Sequence, residues 1–393
     1  MKTRGTLLIL AFFMASLNLR PAITSIAPLL ETLRDQLAMS ASVASLLTSI
    51  PVFCMGIFSP MAAALGARFG IERVIGWSLA LIGVGTALRY FTHSTFFLMV
   101  TAFVAGLGIA SAGPLLSGFI KRYFPTRVPT MIGLFSVALT IGASLGSGLA
   151  APFQSQTHSW QGALAVWALL AFIAVPIWWM SLRRAGGRGD GNSASAQSAS
   201  LPWGQKKAWL LTLSFGFMAM MFYSITAWLP PIIEGLGYSK VYAGNVLTLF
   251  ALVQVPVSLF LPALLKRYPA RLPWMLLCSA FELVGLSMLY FSVAPWIAAI
   301  VIGIGAGALF PLNLLLPIDA TTNGQEAASW SAMTQSAGYV IGAMGPLILG
   351  WIHDATQSFS MAVVALIALV VIMIVIQLIA VPRHEGQRER KAA

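Results

Sequence analysis

Long apolar stretches separated by short polar loops recur along the whole chain. About 20 apolar residues suffice for a helix to cross a bilayer, and the pattern predicts twelve such spans. They fall at approximately residues 5–30, 41–65, 74–91, 95–120, 128–152, 160–182, 207–233, 241–265, 272–292, 295–317, 327–351 and 360–381. The first stretch opens with Lys2 and Arg4, like the basic end of a secretory leader. It runs on past Arg20 without a small-residue cleavage site, so with many spans behind it the stretch reads as a retained first helix.

The polar loops alternate in charge. One side carries Lys2, Arg4, Arg68, Arg73, Lys121, Arg122, Arg127, Arg183, Arg184, Arg188, Lys206, Lys207, Lys266, Arg267, Arg271 and the tail Arg383 to Lys391. The other side has Arg34 and Lys240, with Arg89 at the edge of a span. Basic loops stay in the cytoplasm, so this asymmetry predicts a multi-pass protein of a bacterial inner membrane with both termini cytoplasmic. The loop after span ten departs from the pattern, holding Asp319 and Glu326 without a base. The placement also disposes of a nucleic-acid reading of the +12 net charge. Of all residues 58% are hydrophobic and 9% charged, with a mean hydropathy of +0.85. Soluble domains carry about 25% charged residues, which leaves little room here for one. Cys54 and Cys278 both fall in apolar stretches and imply neither a disulfide nor a metal site.

The longest polar stretch, Arg183 to Lys207, is rich in Gly, Ser and Ala and reads as a flexible linker. Its glycine cluster lacks the preceding strand and following helix of a phosphate loop. It divides the chain into an N-terminal six-helix bundle (1–182), a cytoplasmic linker (183–206), a C-terminal six-helix bundle (207–382) and a tail (383–393). The halves echo one another at a spacing of about 200 residues, as expected of a parallel repeat with a site between its halves. Pro28-Leu29-Leu30-Glu31 matches Pro231-Ile232-Ile233-Glu234. Gly106 through Pro114-Leu115 matches Gly303 through Pro311-Leu312, and Ser136 with Ile141-Gly142-Ala143 matches Ser336 with Ile341-Gly342-Ala343.

Twelve spans, a six-plus-six repeat and a basic central loop resemble the major facilitator superfamily. Leu65-Gly66-Ala67-Arg68-Phe69-Gly70-Ile71-Glu72-Arg73 resembles its motif between helices two and three, with Ala67 in place of the usual acid. Gly142, Gly146, Gly148 and Pro152 resemble its helix-five pattern, more typical of exporters and antiporters. Leu19-Arg20-Pro21 followed by Ala27-Pro28-Leu29-Leu30 resembles the cyanate-permease and 2-nitroimidazole-transporter branch. So do Gly118-Phe119-Ile120-Lys121-Arg122-Tyr123-Phe124-Pro125, Trp228-Leu229-Pro230 and Gln335-Ser336-Ala337-Gly338-Tyr339. The resemblance implies an all-α membrane protein, twelve transmembrane helices in two pseudo-symmetric six-helix bundles, with helices one, four, seven and ten lining a central cavity.

Arg20 is the one full charge in the first apolar stretch. At the middle of a bilayer a guanidinium costs between about 3 and about 15 kcal/mol, so it must face water, a partner or an anionic solute. Pro21 removes a backbone donor beside it and loosens the helix there. Thr24 lies one turn on, on the same face. Under the repeat, Arg20 corresponds to Tyr223, and the two can form a site with one charged and one phenolic side. Gln254, Asn313, Gln335 and Tyr339 add polar groups that can meet a solute or hold a neighbouring helix. Glu282, the carboxylate well inside a span, can carry a coupling proton or serve as a protonated structural acid. Arg89 can draw anions into an outer vestibule or snorkel at the interface, and Trp228 reads as an interfacial anchor. Gly142 and Gly146, with Pro21, read as packing or gating positions. An interhelical or snorkelling Arg20 remains open beside the substrate reading.

Paired intramembrane carboxylates, a His/Cys ligand cluster, a nucleotide loop and a nucleophile elbow are all lacking from the sequence, so no enzyme, metal site or cofactor is expected. A loop of about 25 residues cannot hold a nucleotide-binding domain, which limits transport to gradient-driven kinds. The expectation is a monomeric secondary transporter in the lipid bilayer, taking a small anionic or polar solute, with a coupling proton or counter-transported solute. An exporter of small neutral aromatics such as nitroimidazoles is the first rival, and a non-transporting receptor the second.

Overall fold

The structure, a computed structural model, describes residues 2–124, 127–185, 201–321 and 324–381. The middle of the linker and the tail from Arg383 lie outside them. Among the described residues eleven segments are long and apolar enough to cross a membrane. In the first half these are spans one to six: Thr6–Leu37, Ala41–Gly66, Ile71–Phe91, Thr95–Ile120, Gly133–Thr157 and Trp160–Arg183. In the second half they are spans seven to ten, Lys206–Gly235, Lys240–Arg267, Arg271–Tyr290 and Pro295–Asp319, and span twelve, Phe359–Ala380. The remaining long helix, Gly324–Thr356, is span eleven. Its Gln, Ser, Thr and Gly residues make it less apolar than its neighbours, and it tolerates them because it packs between spans two and seven. The expected twelve-helix build is therefore the observed one.

Serine caps explain where many spans begin. The hydroxyls of Ser40, Ser94, Ser159, Ser239 and Ser358 each accept a hydrogen bond from the N–H three residues on, starting spans two, four, six, eight and twelve at the same end of the molecule. At the opposite, basic end the chain turns from span two into span three at Gly70, whose φ of +88° suits glycine.

The apolar core follows the two halves. Two clusters draw on the first six spans, around Phe12, Phe119 and Trp178 and around Leu30, Leu47 and Leu164. A third centres on the last six, around Phe215, Ile302 and Leu366. The sequence repeat reappears as equivalent packing. Gly106 leaves room for Pro51 of span two, and Gly303 for Phe250 of span eight. Gly142 of span five meets Leu17 of span one, and Gly342 of span eleven meets Met220 of span seven. The basic end carries the repeat as well. Arg122 pairs with Glu72 at 3.2 Å, and Arg271 with Asp319 at 2.9 Å, joining the same pair of helix ends in each half with the charges exchanged. The acidic loop after span ten, at odds with the charge pattern, is explained by that second pair. Although Ala67 replaces the usual acid of the span-two loop, the Glu72 carboxylate holds this corner together, also accepting from the Tyr123 hydroxyl at 2.9 Å.

The halves meet along spans two and eleven and spans five and eight. A Cβ on Gly350 would fall 2.7 Å from the Ala41 carbonyl oxygen, and one on Gly244 the same distance from that of Ser147. The Ser147 and Thr248 hydroxyls lie 2.9 Å apart. Nearer the middle, Gly56 of span two packs against Ser336 and Val340 of span eleven. All these cross-bundle contacts among the described residues sit at the middle or away from the basic end. Toward the basic end, Gly113, Gly118 and Gly133 face open space.

Candidate functional site

Span one is not a continuous helix. A helix over Lys2–Leu17 gives way to a turn, then to the short helix Pro21–Thr24, a 3-10 turn at Ala27–Leu29 and a last helix Leu30–Leu37. Two prolines, Pro21 and Pro28, each remove a donor, which is the local cause of the breaks. Non-helical backbone is tolerated at membrane depth only where protein or a cavity covers it. Span five supplies that cover. A side chain at Gly142 would collide with the Leu17 carbonyl, the one left without its donor by Pro21, and a side chain at Gly146 would collide with Thr24 and Pro21. Span seven, by contrast, is one helix over Lys206–Gly235. At the position matching Pro21 it has Ser224, which keeps its backbone donor, so the pseudo-symmetry fails at this one point.

Arg20 sits at the break, half-buried, just before the short helix. Its guanidinium carbon lies 5.5 Å from the centre of the Phe222 ring, across the interface between the halves. Among the described residues it forms no ion pair and no side-chain hydrogen bond. Tyr223, buried in span seven, points its hydroxyl at the Met55 sulfur 3.8 Å away in span two. Its ring lies 6.3 Å from that of Tyr339 in span eleven, which in turn lies edge-on to Phe215 at 5.2 Å. Tyr223 follows Phe222, the ring that faces Arg20, and the two rings lie 5.3 Å apart. The chain thus brings Arg20, Tyr223 and Tyr339 together at the middle of the bundle interface, as a cation bordered by aromatic faces and two phenols.

The other expected site residues divide. Gln335, one turn before Tyr339, is half-buried and its amide has no hydrogen-bond partner among the described residues. Thr24 bonds the carbonyl of Arg20 at 3.2 Å and packs on Gly146, so it shapes the break and offers no free hydroxyl. Gln254 donates its amide to the Phe250 carbonyl of its own helix at 3.0 Å. Asn313 accepts from the Ser214 hydroxyl of span seven at 2.7 Å and donates to the Leu309 carbonyl of its own helix at 2.9 Å, so both ends of its amide have a protein partner. Glu282 is buried among spans nine and ten, with its chain against Gly305, and forms no ion pair with Arg20. Two expectations need correcting. Arg89 is fully buried, with no vestibule exposure, because the 3-10 turn Leu88–Phe91 folds it inward onto the Ala22 carbonyl at 2.9 Å. Trp228 is buried too, donating to the Pro346 carbonyl at 3.1 Å, and is no interfacial anchor.

Sequence reasoning passed over Phe222 and Met55, whose roles arise only from what faces them. It also passed over Asp354 in the last turn of span eleven. That carboxylate accepts from the N–H of Ala41 at 2.6 Å and of Ser42 at 2.8 Å, tying span eleven to the first turn of span two. The only advance sign was an acid at the end of one span and, at the start of another, a helix whose first N–H groups favour a negative charge.

Two pseudo-symmetric six-helix halves, with a broken helix and a cation at their interface, define a membrane transporter. The chain belongs to the Major Facilitator Superfamily, whose family model matches residues 7–346. It is 34% identical to the uncharacterized transporter YycB of Bacillus subtilis, over 95% of this chain and 92% of that one. It is 32% identical to the 2-nitroimidazole transporter of Escherichia coli, over 95% of each chain. To the cyanate transport protein CynX of the same organism it is 31% identical, over 90% of this chain and 92% of that one. The xylose transporter XylE of Escherichia coli shares the fold, with a TM-score of 0.79 at 13% identity over 98% of each chain. A bacterial homologue of the lysosomal transporter Spinster does so at 0.76 and 17% over 97% of each. By relatives and fold the chain is a multi-pass transporter of small molecules and not an enzyme.

Proposed function

We propose that the protein carries a small anionic or polar planar solute across a bacterial inner membrane by alternating access, with Arg20 as the anchor. The observation that carries this reading is the Arg20 guanidinium, held at the bundle interface against Phe222 with no acid paired to it. A cation in that position invites an anionic or strongly polar partner. The unpartnered Gln335 amide and the Tyr223 and Tyr339 phenols are the further donors a solute would meet. Relatives named for cyanate and for 2-nitroimidazole support the same size and polarity of cargo.

Residues 1–182 and 207–382 act as the two rocking bodies, with 183–206 joining them and one chain forming a complete unit. The basic end is cytoplasmic by its charge. Among the described residues the close contacts between the halves named above lie at the middle and outer end, which supports an inward-open arrangement. Gly142, Gly146 and Pro21 hold the broken helix through the cycle, and a proton or counter-transported solute completes it.

A second reading, export of a neutral nitroaromatic, is favoured by the run of rings Phe215, Tyr339, Tyr223 and Phe222. Uptake of labelled cyanate and of labelled 2-nitroimidazole into proteoliposomes tests both. Flux of cyanate that disappears with Arg20→Ala supports the anion anchor. Flux of 2-nitroimidazole alone, indifferent to Arg20→Ala, supports the second reading and removes the first.

A further inference from the structure

We infer that Arg89 is a positioning residue of the solute site, acting through the broken first span to fix Arg20; the inference rests on the reading of Arg20 as the anchor.

The backbone of the break shows why. In a continuous helix the Ala22 carbonyl would accept from the N–H of Ile26. Here the Ile26 N–H turns to the Ile23 carbonyl instead, three residues back at 3.3 Å. That tightening into a 3-10 step leaves the Ala22 carbonyl without its helical donor. Arg89 fills the position, reaching from the end of span three to donate to that oxygen at 2.9 Å. The carbonyl belongs to the single helical turn Pro21–Thr24 and, once freed, accepts a charge-assisted hydrogen bond from the guanidinium.

A merely structural arginine would be an odd choice here. Arg89 has no exposed surface. Among the described residues its Nε and second terminal nitrogen have no hydrogen-bond partner, and no acid pairs with it. A buried guanidinium is costly, and an apolar side chain of similar volume would often pack as well. What an apolar side chain could not do is hold a freed carbonyl. The short helix is thus gripped from two sides, by Arg89 on span three and by the close approach of Gly142 and Gly146 on span five. Arg20, two residues from Ala22, is carried on that gripped turn and directed across the interface toward Phe222.

The test uses a readout that needs no transported solute. In a chain with Cys54→Ala and Cys278→Ala, the alkylation rate of Arg20→Cys by a water-soluble maleimide reports where that backbone sits. Gln254→Cys on span eight serves as the control. With Arg89→Met added, the rate at Arg20→Cys should change at least fivefold while that at Gln254→Cys stays within twofold. Arg89→Lys, which keeps one shorter donor, should change it two- to fivefold and carries the test alone if Arg89→Met does not fold. In the chain with Arg20 intact, Arg89→Met should also weaken binding of cyanate or 2-nitroimidazole at least tenfold, with no further loss when combined with Arg20→Ala. A rate at Arg20→Cys within twofold of its parent in a folded Arg89 variant overturns the inference, as does an equal change at Gln254→Cys. If neither probe solute binds the wild-type protein, the reading of the cargo fails while the alkylation result still decides the role of Arg89.

Discussion

The Asp354 carboxylate accepts hydrogen bonds from both the backbone N–H of Ser42, at 2.8 Å, and its hydroxyl, at 2.6 Å. One side chain at the end of span eleven thereby caps the first turn of span two, joining the two halves where the chain is otherwise held by close glycine contacts such as Gly350 on Ala41. To open this end, the carboxylate must be pulled from an aligned set of N–H donors, which is a fixed cost of the transition.

Asp354→Asn should therefore ease opening at this end. Hydrogen bonds to a charged group contribute about 1.5–3 kcal/mol and those to a neutral one about 0.5–1.5. The substitution should cost roughly 1–3 kcal/mol and move the equilibrium about 5- to 150-fold. Ser45→Cys, buried beneath the contact, should be alkylated correspondingly faster in the Asn variant. An unchanged rate would mean that the cap does not restrain the halves.

The pH dependence of that cap has a definite sign. Burial alone would raise the Asp354 carboxyl, but hydrogen bonds from Ser42, then Ala41 and Ser40, outweigh it and hold the group below the usual aspartate range. A depressed carboxyl keeps its contact fully above the unfolded value of about 3.9 and loses it as pH falls through the lower folded one. Alkylation of Ser45→Cys should be flat between pH 5 and 8 once corrected for thiolate content. A rise on going from pH 8 to pH 5 would contradict this.

Gly142 and Gly113 make a matched pair of substitutions. Gly142→Ala forces a methyl group into the Leu17 carbonyl, and overpacking of that kind costs about 1–3 kcal/mol. Gly113→Ala meets open space and should leave stability unchanged or raise it by up to about 1 kcal/mol, the usual gain of alanine over glycine in a helix. The Tm values of the two purified variants, measured side by side, check the contrast.

Much of this site was legible in the sequence, for reasons tied to particular residues. Arg20 is a charge that cannot hide in an apolar stretch, and the repeat pointed to Tyr223, one residue beyond the Phe222 ring that faces it. Pro21 marked the weak point of the helix, but not the extent of the break, which depends on Gly142 and Gly146 arriving from another span. Arg89 and Trp228 near span ends suggested the interface because position along a helix is readable while the direction of a following turn is not. Asn313 and Gln254 looked equally available, and only their neighbours show that the first spends its amide on Ser214 and Leu309 and the second on Phe250.

Glu282→Gln distinguishes a structural acid from a coupling one. The carboxyl lies within the second bundle, and one of its oxygens has no hydrogen-bond partner among the described residues. Replacing an isolated buried acid by a neutral isostere should leave Tm equal or higher. Transport in the variant should keep the wild-type pH profile. A flattened profile would assign the proton to Glu282 after all.

The central claim is that Arg20 meets the solute, and ligand-induced stabilisation of the purified protein tests it most directly. Anything that binds the folded state raises Tm by mass action, whichever way the transporter works. Cyanate should raise the Tm of the wild-type protein, leave that of Arg20→Ala unmoved, and raise that of Arg20→Lys less, since lysine keeps the charge without the fork. An equal cyanate-induced rise in wild-type and Arg20→Ala proteins would contradict the account and leave Arg20 a structural residue of the broken helix.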